Sequence, residues 1–185
     1  MEQPSLTSND ISVSLRDRVW TQSYGKTKTI QGVRLLDLPL TRDEGGSFVE
    51  LARINQDGTL KAFPEYTVKQ ISFSVLEPGV VKAFHLHYAQ DDIWFVSPDD
   101  RLFVGLLDAR AGSVTEGIST RTVLGAGRAQ LLFIPRGVAH GAANFSSVRT
   151  SVTYFVNNCF NSEDPDERRL PAETLGADFW TLARE

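Results

Sequence analysis

The sequence predicts an all-β domain, a sandwich or small barrel, and three observations lead there. From Val33 onward, about ten short runs rich in β-branched and aromatic residues follow one another at roughly 8–12-residue spacing. Each run is bounded by Gly, Pro, Asp or Asn, the residues that turn a chain. Nothing between Val33 and Asn158 sustains a helical period.

In order, the runs are "GVRLLDLPL", "GSFVELARI", "YTVKQISFSVLEPG", "VVKAFHLHYA", "DIWFVSPDD", "RLFVGLLDA", "RTVLGAG", "AQLLFIPRG", "VAHGAANFS" and "RTSVTYFVNN". The polar segment 1–30, rich in Ser, Thr and Gln, is expected to be an arm with at most one short strand. The tail opens as a charged, Pro-bounded loop, and Pro171 suits the start of a short amphipathic helix. The expected organisation is therefore an arm over 1–30, a β domain over 31–160, and a C-terminal loop and short helix over 161–185 packed on it.

At 185 residues the chain is long enough for one domain with a real core. A net charge of −4 and a pI near 5.4 argue against nucleic acid or an anionic membrane as partner. No apolar run approaches the ~18 residues of a membrane span. The polar N-terminus lacks a signal-peptide core. Cys159, the sole cysteine, cannot form an internal disulfide, so a cytoplasmic setting is expected. Its thiol reads as an ordinary side chain, because activation needs a paired base.

The chemistry-bearing residues are the three histidines. In "KAFHLHYAQDD", His85 and His87 are two apart and share one strand face, with Phe84, Leu86 and Tyr88 on the other. That pattern describes a barrel strand with a polar lumen. In "IPRGVAHGAAN", Pro135 and Gly137 make a tight turn and His140 follows on the next strand. Gly79, His85 and His87 are spaced as in the first half of the cupin motif. Pro135, Gly137, His140 and Asn144 are spaced as in the second half. The resemblance implies a cupin jelly-roll barrel whose lumen holds the active site.

Four stretches, two of them containing these histidines, resemble one branch of cupins, the dTDP-4-dehydrorhamnose 3,5-epimerase family. "RDEGGSFVE" is similar to its Asp-Glu-Arg-Gly-x-Phe-x-Glu stretch, and "VKQISFS" to its Gln-x-Asn-x-Ser strand. "KAFHLH" is similar to Arg-Gly-Leu-His-x-Gln, and "LFIPRGVAHG" to Trp-Ile-Pro-x-Gly-Phe-Ala-His-Gly. The resemblance implies a nucleotide-sugar epimerase or isomerase that abstracts a proton beside the 4-keto group of a dTDP-4-keto-6-deoxy sugar. His85 is then the base, His140 a second active-site histidine, and Tyr154 the proton donor. Phe48, Glu50, Gln70, Lys82 and His87 would contact the nucleotide sugar. The family also implies no cofactor and a homodimer in which the arm around the first strand pairs with the partner's sheet.

A ketone α-proton is too weakly acidic for a free imidazole to remove quickly. Such a site needs the base within hydrogen-bond reach and a donor or cation at the enolate oxygen. The chain departs from the family pattern in that respect. Asp92 falls near the place of the family's lysine, His87 replaces its glutamine, and Gly45 replaces the arginine of the first motif. The family's C-terminal aspartate that orients the base has no motif here, and "ERR" at 167–169 reads as a solvated loop. Two alternatives follow. One is a metal-binding cupin, with His85, His87 and His140 plus Asp91 or Asp92 holding one divalent transition metal. The other is a catalytically silent cupin that binds a sugar nucleotide. Adjacent Asp91 and Asp92 cannot both face inward from a strand.

Overall fold

The computed structural model describes residues 4–22 and 28–182. In chain order the strands are β1 (Arg34–Asp37), β2 (Leu40–Asp43), β3 (Gly46–Val49), β4 (Thr59–Leu60), β5 (Phe63–Thr67), β6 (Gln70–Leu76) and β7 (Val81–Leu86). There follow β8 (Asp92–Phe95), β9 (Arg101–Asp108), β10 (Ser119–Gly125), β11 (Gln130–Ile134), β12 (Val138–Ala143), β13 (Thr150–Val156) and β14 (Arg168–Arg169). Two five-stranded antiparallel sheets form the barrel, in the orders β1-β11-β8-β13-β6 and β10-β9-β12-β7-β14. Two hairpins, β2-β3 and β4-β5, complete the jelly roll.

The central strands β8 and β11 of the first sheet are buried on both faces, which is why "IWF" and "LLFI" read as apolar runs without alternation. Trp94, Leu132 and Ile134 point between the sheets, where they meet Leu102, Val104 and Leu106 of β9. Ile93, Phe95, Leu131, Phe133 and Phe155 point outward and are covered by Leu60, Phe63 and Tyr66 from the β4-β5 region. Burying each such side chain is worth about 1.5–3 kcal/mol, so two stacked cores fix the register of the central strands.

The outer face of the second sheet is closed by the C-terminal segment. Phe84 packs on Phe179 and Trp180, with ring centroids 5.8 and 5.2 Å away. Gly105 of β9 lets them approach, because a Cβ there would lie 2.5 Å from both aromatic rings. The helix expected after Pro171 is instead two 3-10 turns, Ala172–Leu175 and Ala177–Trp180. Gly176 breaks between them at a φ of 86°.

Among the described residues of 1–30 there is no strand. The described part of the arm contains a 3-10 turn, Ser8–Asp10, and a four-residue helix, Val13–Arg16; residues 23–27 lie outside the described residues. β1 pairs along β11 of its own chain and forms one edge of the first sheet. Leu36 of β1 and Leu38 just after it pack against the outer core. No described helix is long and apolar enough to cross a membrane.

Candidate active site

The two sheets enclose a cavity of about 530 Å³. Residues of β6, β8 and β13 line one wall, and residues of β7, β12 and β14 the other. The two histidine motifs meet in the second wall because β12 runs antiparallel to β7, setting His140 directly opposite His85. The Pro135–Gly137 turn is tied to the end of β7 by the Gly137 N–H, which donates to the His87 carbonyl at 2.8 Å. Gly137 has a φ of 79°, and the Arg110 side chain packs where a Cβ would be. All three histidines line the cavity.

His85 is held at both ring nitrogens. Its Nδ1 lies 3.4 Å from Glu167 Oε1, and its Nε2 accepts a hydrogen bond from Arg169 Nη1 at 3.0 Å. Glu167 and Arg169 also pair with each other. Both arrive on β14, which pairs with β7 so that Arg169 stands opposite His85. Burial, followed by the Arg169 guanidinium and the His140 ring, brings the His85 pKa down to about 4, against an upward pull from Glu167. The imidazole is therefore a free base at neutral pH.

His140, Asp92 and His87 form a second, deeper group. His140 Nδ1 donates to the Val138 carbonyl at 3.0 Å, which turns Nε2 toward Asp92 Oδ2 at 3.5 Å. Burial lowers the His140 pKa from its ordinary value, although the Asp92 carboxylate works the other way. Asp92 accepts hydrogen bonds from Gln90 Nε2 at 2.7 Å and from Trp94 Nε1 at 3.0 Å. His87 Nδ1 bonds the Asp166 carbonyl. The Asp166 side chain meanwhile accepts the backbone N–H groups of Tyr88, Ala89 and Gln90. Burial alone would raise the Asp166 pKa; those three donors outweigh it and hold it below the ordinary value.

Tyr154 enters from the opposite sheet. Its hydroxyl shares a 2.8 Å hydrogen bond with Ser74 Oγ, and its ring meets Trp94 edge-on at 5.2 Å. Burial raises its pKa, so it stays a neutral phenol able to give a proton. Gln70 and Lys82 also line the cavity, with Gln70 held by bonds to Ser72 and the Phe160 N–H. Cys159 lies at the rim as a free thiol.

Two of the expected substrate contacts lie elsewhere. Phe48 is 71% exposed, and Glu50 pairs with Arg53 at 2.7 Å on the same surface. Val49, between them, turns into the outer core of the first sheet. Strand alternation therefore aims its neighbours at solvent, and neither lines this chain's cavity. Of the residues in the metal-ligand alternative, His87, Asp92 and His140 are brought together and Asp91 is not. Asp91 faces away from the histidines, where it accepts bonds from the Arg136 backbone and guanidinium and from Asn157. His85 stands apart from the close group of His87, Asp92 and His140. The solvated-loop reading of "ERR" fails in the other direction, because Glu167 and Arg169 are part of the site. Its signal was a pair of opposite charges two residues apart beside a chain turn, which is too common to single out.

A jelly roll whose lumen is lined by three imidazoles and a phenol has the architecture of the cupins. Residues 27–183 match the family described as dTDP-4-dehydrorhamnose 3,5-epimerase, and the chain belongs to that family. It is 38% identical over 157 residues to the spore coat polysaccharide biosynthesis protein SpsL of Bacillus subtilis (strain 168), covering 84% of this chain and 99% of that one. It is 32% identical over 144 residues to the probable low-salt glycan biosynthesis epimerase Agl13 of Haloferax volcanii, covering 77% and 88%. A crystal structure of dTDP-4-dehydrorhamnose 3,5-epimerase from Bacillus anthracis str. Ames, with TDP and PPi bound, matches at a TM-score of 0.67. That match is 21% identical and covers 86% of this chain and 91% of the other.

Proposed function

We propose that this chain epimerises a dTDP-4-keto-6-deoxy sugar by removing a proton from the carbon beside the 4-keto group. The observation that carries the reading is the opposition of His85 and Tyr154 across one cavity, on different sheets. Inversion at carbon needs a base on one face of the sugar and a proton donor on the other. The family match, and the TDP held by the B. anthracis protein, support a nucleotide sugar as the substrate class.

In this reading His85 Nε2 takes the α-proton, and the C–H electron pair moves into the enolate. Tyr154 then gives its proton to the opposite face of that carbon, and solvent restores both groups. Glu167 at Nδ1 holds the ring in the productive orientation and stabilises the imidazolium that forms. Arg169 must leave Nε2 first. The diphosphate of the substrate is the partner that draws it away, because a guanidinium binds phosphate oxygens more strongly than an imidazole.

We also infer that two copies associate through β6. That strand inverts the usual pattern: Gln70, Ser72 and Ser74 point into the cavity, while Ile71, Phe73 and Val75 point outward and are exposed. An edge strand with an apolar outer face is a pairing surface.

The test is to incubate a dTDP-4-keto-6-deoxy sugar with the protein in heavy water and follow exchange by NMR. His85→Asn should abolish wash-in while leaving nucleotide-sugar binding largely intact, because a general base contributes ~10²–10⁴-fold in rate. Tyr154→Phe should still permit wash-in while slowing formation of the inverted sugar. Exchange that persists in His85→Asn would shift the base to His140. Binding without any exchange by the unaltered protein would make it a silent binder.

A further inference from the structure

We propose that His87, Asp92 and His140 form a binding site for one divalent first-row transition metal ion. One ligand atom from each lies within 4.8 Å of the others, and all three residues are more than nine-tenths buried.

The ligands are already aimed. Both imidazoles spend Nδ1 on a backbone carbonyl, His87 on Asp166 and His140 on Val138. That arrangement fixes the tautomer and leaves Nε2 as a lone pair, as outer hydrogen bonds do for metal-bound histidines. Gln90 and Trp94 fix the Asp92 carboxylate in the same way.

The charges also require something between them. The Asp92 side chain is 5% exposed, and among the described residues its only ion-pair partner is His140. Its two side-chain donors, Gln90 and Trp94, are neutral. A buried carboxylate is costly unless a cation compensates it. With the proton of His140 on Nδ1, the 3.5 Å contact from Nε2 to Asp92 Oδ2 sets lone pair against lone pair. A metal ion between them satisfies both.

Neighbouring ligand atoms of a tetrahedral ion are ~3.3 Å apart; His140 Nε2 and Asp92 Oδ2, at 3.5 Å, are near that spacing, and the group as a whole spans up to 4.8 Å. His87 lies just beyond the end of β7 and is the ligand that would have to move inward on binding. Two imidazoles and one carboxylate suit Zn, Fe, Mn, Co or Ni rather than Ca or Mg. His87 and Asp92 are also two of the positions at which this sequence departs from the family motif. His85 stays outside the set because Glu167 and Arg169 engage both of its nitrogens. The ion and the base are therefore separate and adjacent. Only the role of the ion rests on the epimerase reading: it would polarise the 4-keto oxygen as a Lewis acid.

The test uses the full chain purified without a polyhistidine tag, stripped with a chelator and titrated with Zn²⁺ and with Co²⁺. Uptake is read by elemental analysis and by the visible spectrum of bound Co²⁺. The expected result is about one ion per chain. His87→Gln and Asp92→Asn, which keep size and polarity, should weaken binding by more than the ~10–100-fold cost of losing an outer-shell partner. His85→Asn and Cys159→Ser should bind as the unaltered chain does. Circular dichroism of each variant establishes that it is folded. The proposal is overturned if the stripped protein takes up no ion at micromolar concentration, which would make a proton on His140 the counter-charge. It is overturned equally if the His87 and Asp92 variants bind undiminished. Deuterium exchange run on the same samples separates the two ideas. Exchange by protein that binds no ion removes the metal site and leaves the epimerase reading standing. Stoichiometric binding with no exchange upholds the site and counts against that reading.

Discussion

Glu167 Oε1 lies 3.4 Å from Nδ1 of His85, so the histidine that faces the cavity is backed by a carboxylate. A carboxylate beside Nδ1 favours the tautomer with its proton there and leaves Nε2 as the basic atom. Glu167→Gln keeps a hydrogen-bond acceptor but removes the charge that stabilises the imidazolium. Exchange in heavy water should slow by ~10–10²-fold, less than the ~10²–10⁴-fold owed to a base itself. KM should hardly change, and Glu167→Asp should recover part of the rate. An equal loss in both variants, with a raised KM, would mean that Glu167 serves only to hold the β14 strap.

Arg169 has a different task, and its removal should leave a different signature. Its guanidinium lies at the cavity wall, 60% exposed at the side chain, within reach of an entering anion. Arg169→Met should raise KM for the nucleotide sugar by ~10-fold, about 1.4 kcal/mol, and the effect should shrink as salt is added. Unchanged KM at low salt would remove Arg169 from substrate recognition.

Asp108 anchors the far end of β9 and gives a stability prediction with a pH window. Its buried carboxylate accepts bonds from the Arg110 backbone and guanidinium, Ser113 and Thr115. Arg110 above all holds the Asp108 pKa far below the ordinary carboxylate value, against the upward push of burial. A depressed carboxyl contributes its stability fully above the unfolded value of ~3.9 and loses it as pH falls through the lower folded value. Asp108→Asn should therefore cost about 3 kcal/mol at pH 7. The gap to the unaltered protein should narrow between about pH 4 and pH 2. Guanidinium melts across that range measure it, and a gap independent of pH would contradict the assignment.

The outer face of β6 carries Ile71 at 56%, Phe73 at 66% and Val75 at 38% exposure. If two copies meet there, Phe73→Glu should convert a dimer into a monomer in sedimentation experiments without lowering the melting temperature of the folded chain. A protein that sediments as a monomer before the change would refute the pairing.

The sequence made the barrel and half of the site legible because those features are local. His85 and His87 share a face through the two-residue period of a strand, and the Pro135–Gly137 turn announces the strand that carries His140. The contributions of β14 were not legible. Glu167 and Arg169 meet His85 across 82 and 84 residues of chain, and a two-residue strand leaves no periodic trace. Alternation required one of Asp91 and Asp92 to face inward but could not say which. That was settled by Arg136, which captures Asp91 on the outside. Phe48 and Glu50 followed the family motif in sequence, yet the β2-β3 hairpin carries them onto an exposed surface.

The strap from Asp166 to Arg169 touches His87 through a carbonyl, His85 through a carboxylate and again through a guanidinium, yet contributes almost nothing to either core. It is a cassette. Selection, or an engineer, can rewrite these four residues without disturbing a single buried contact between the sheets. A relative that lacks the expected motif is still complete if another side chain delivers the same atom to the same place; the reaction is then inherited through a location in space rather than through a position in the chain.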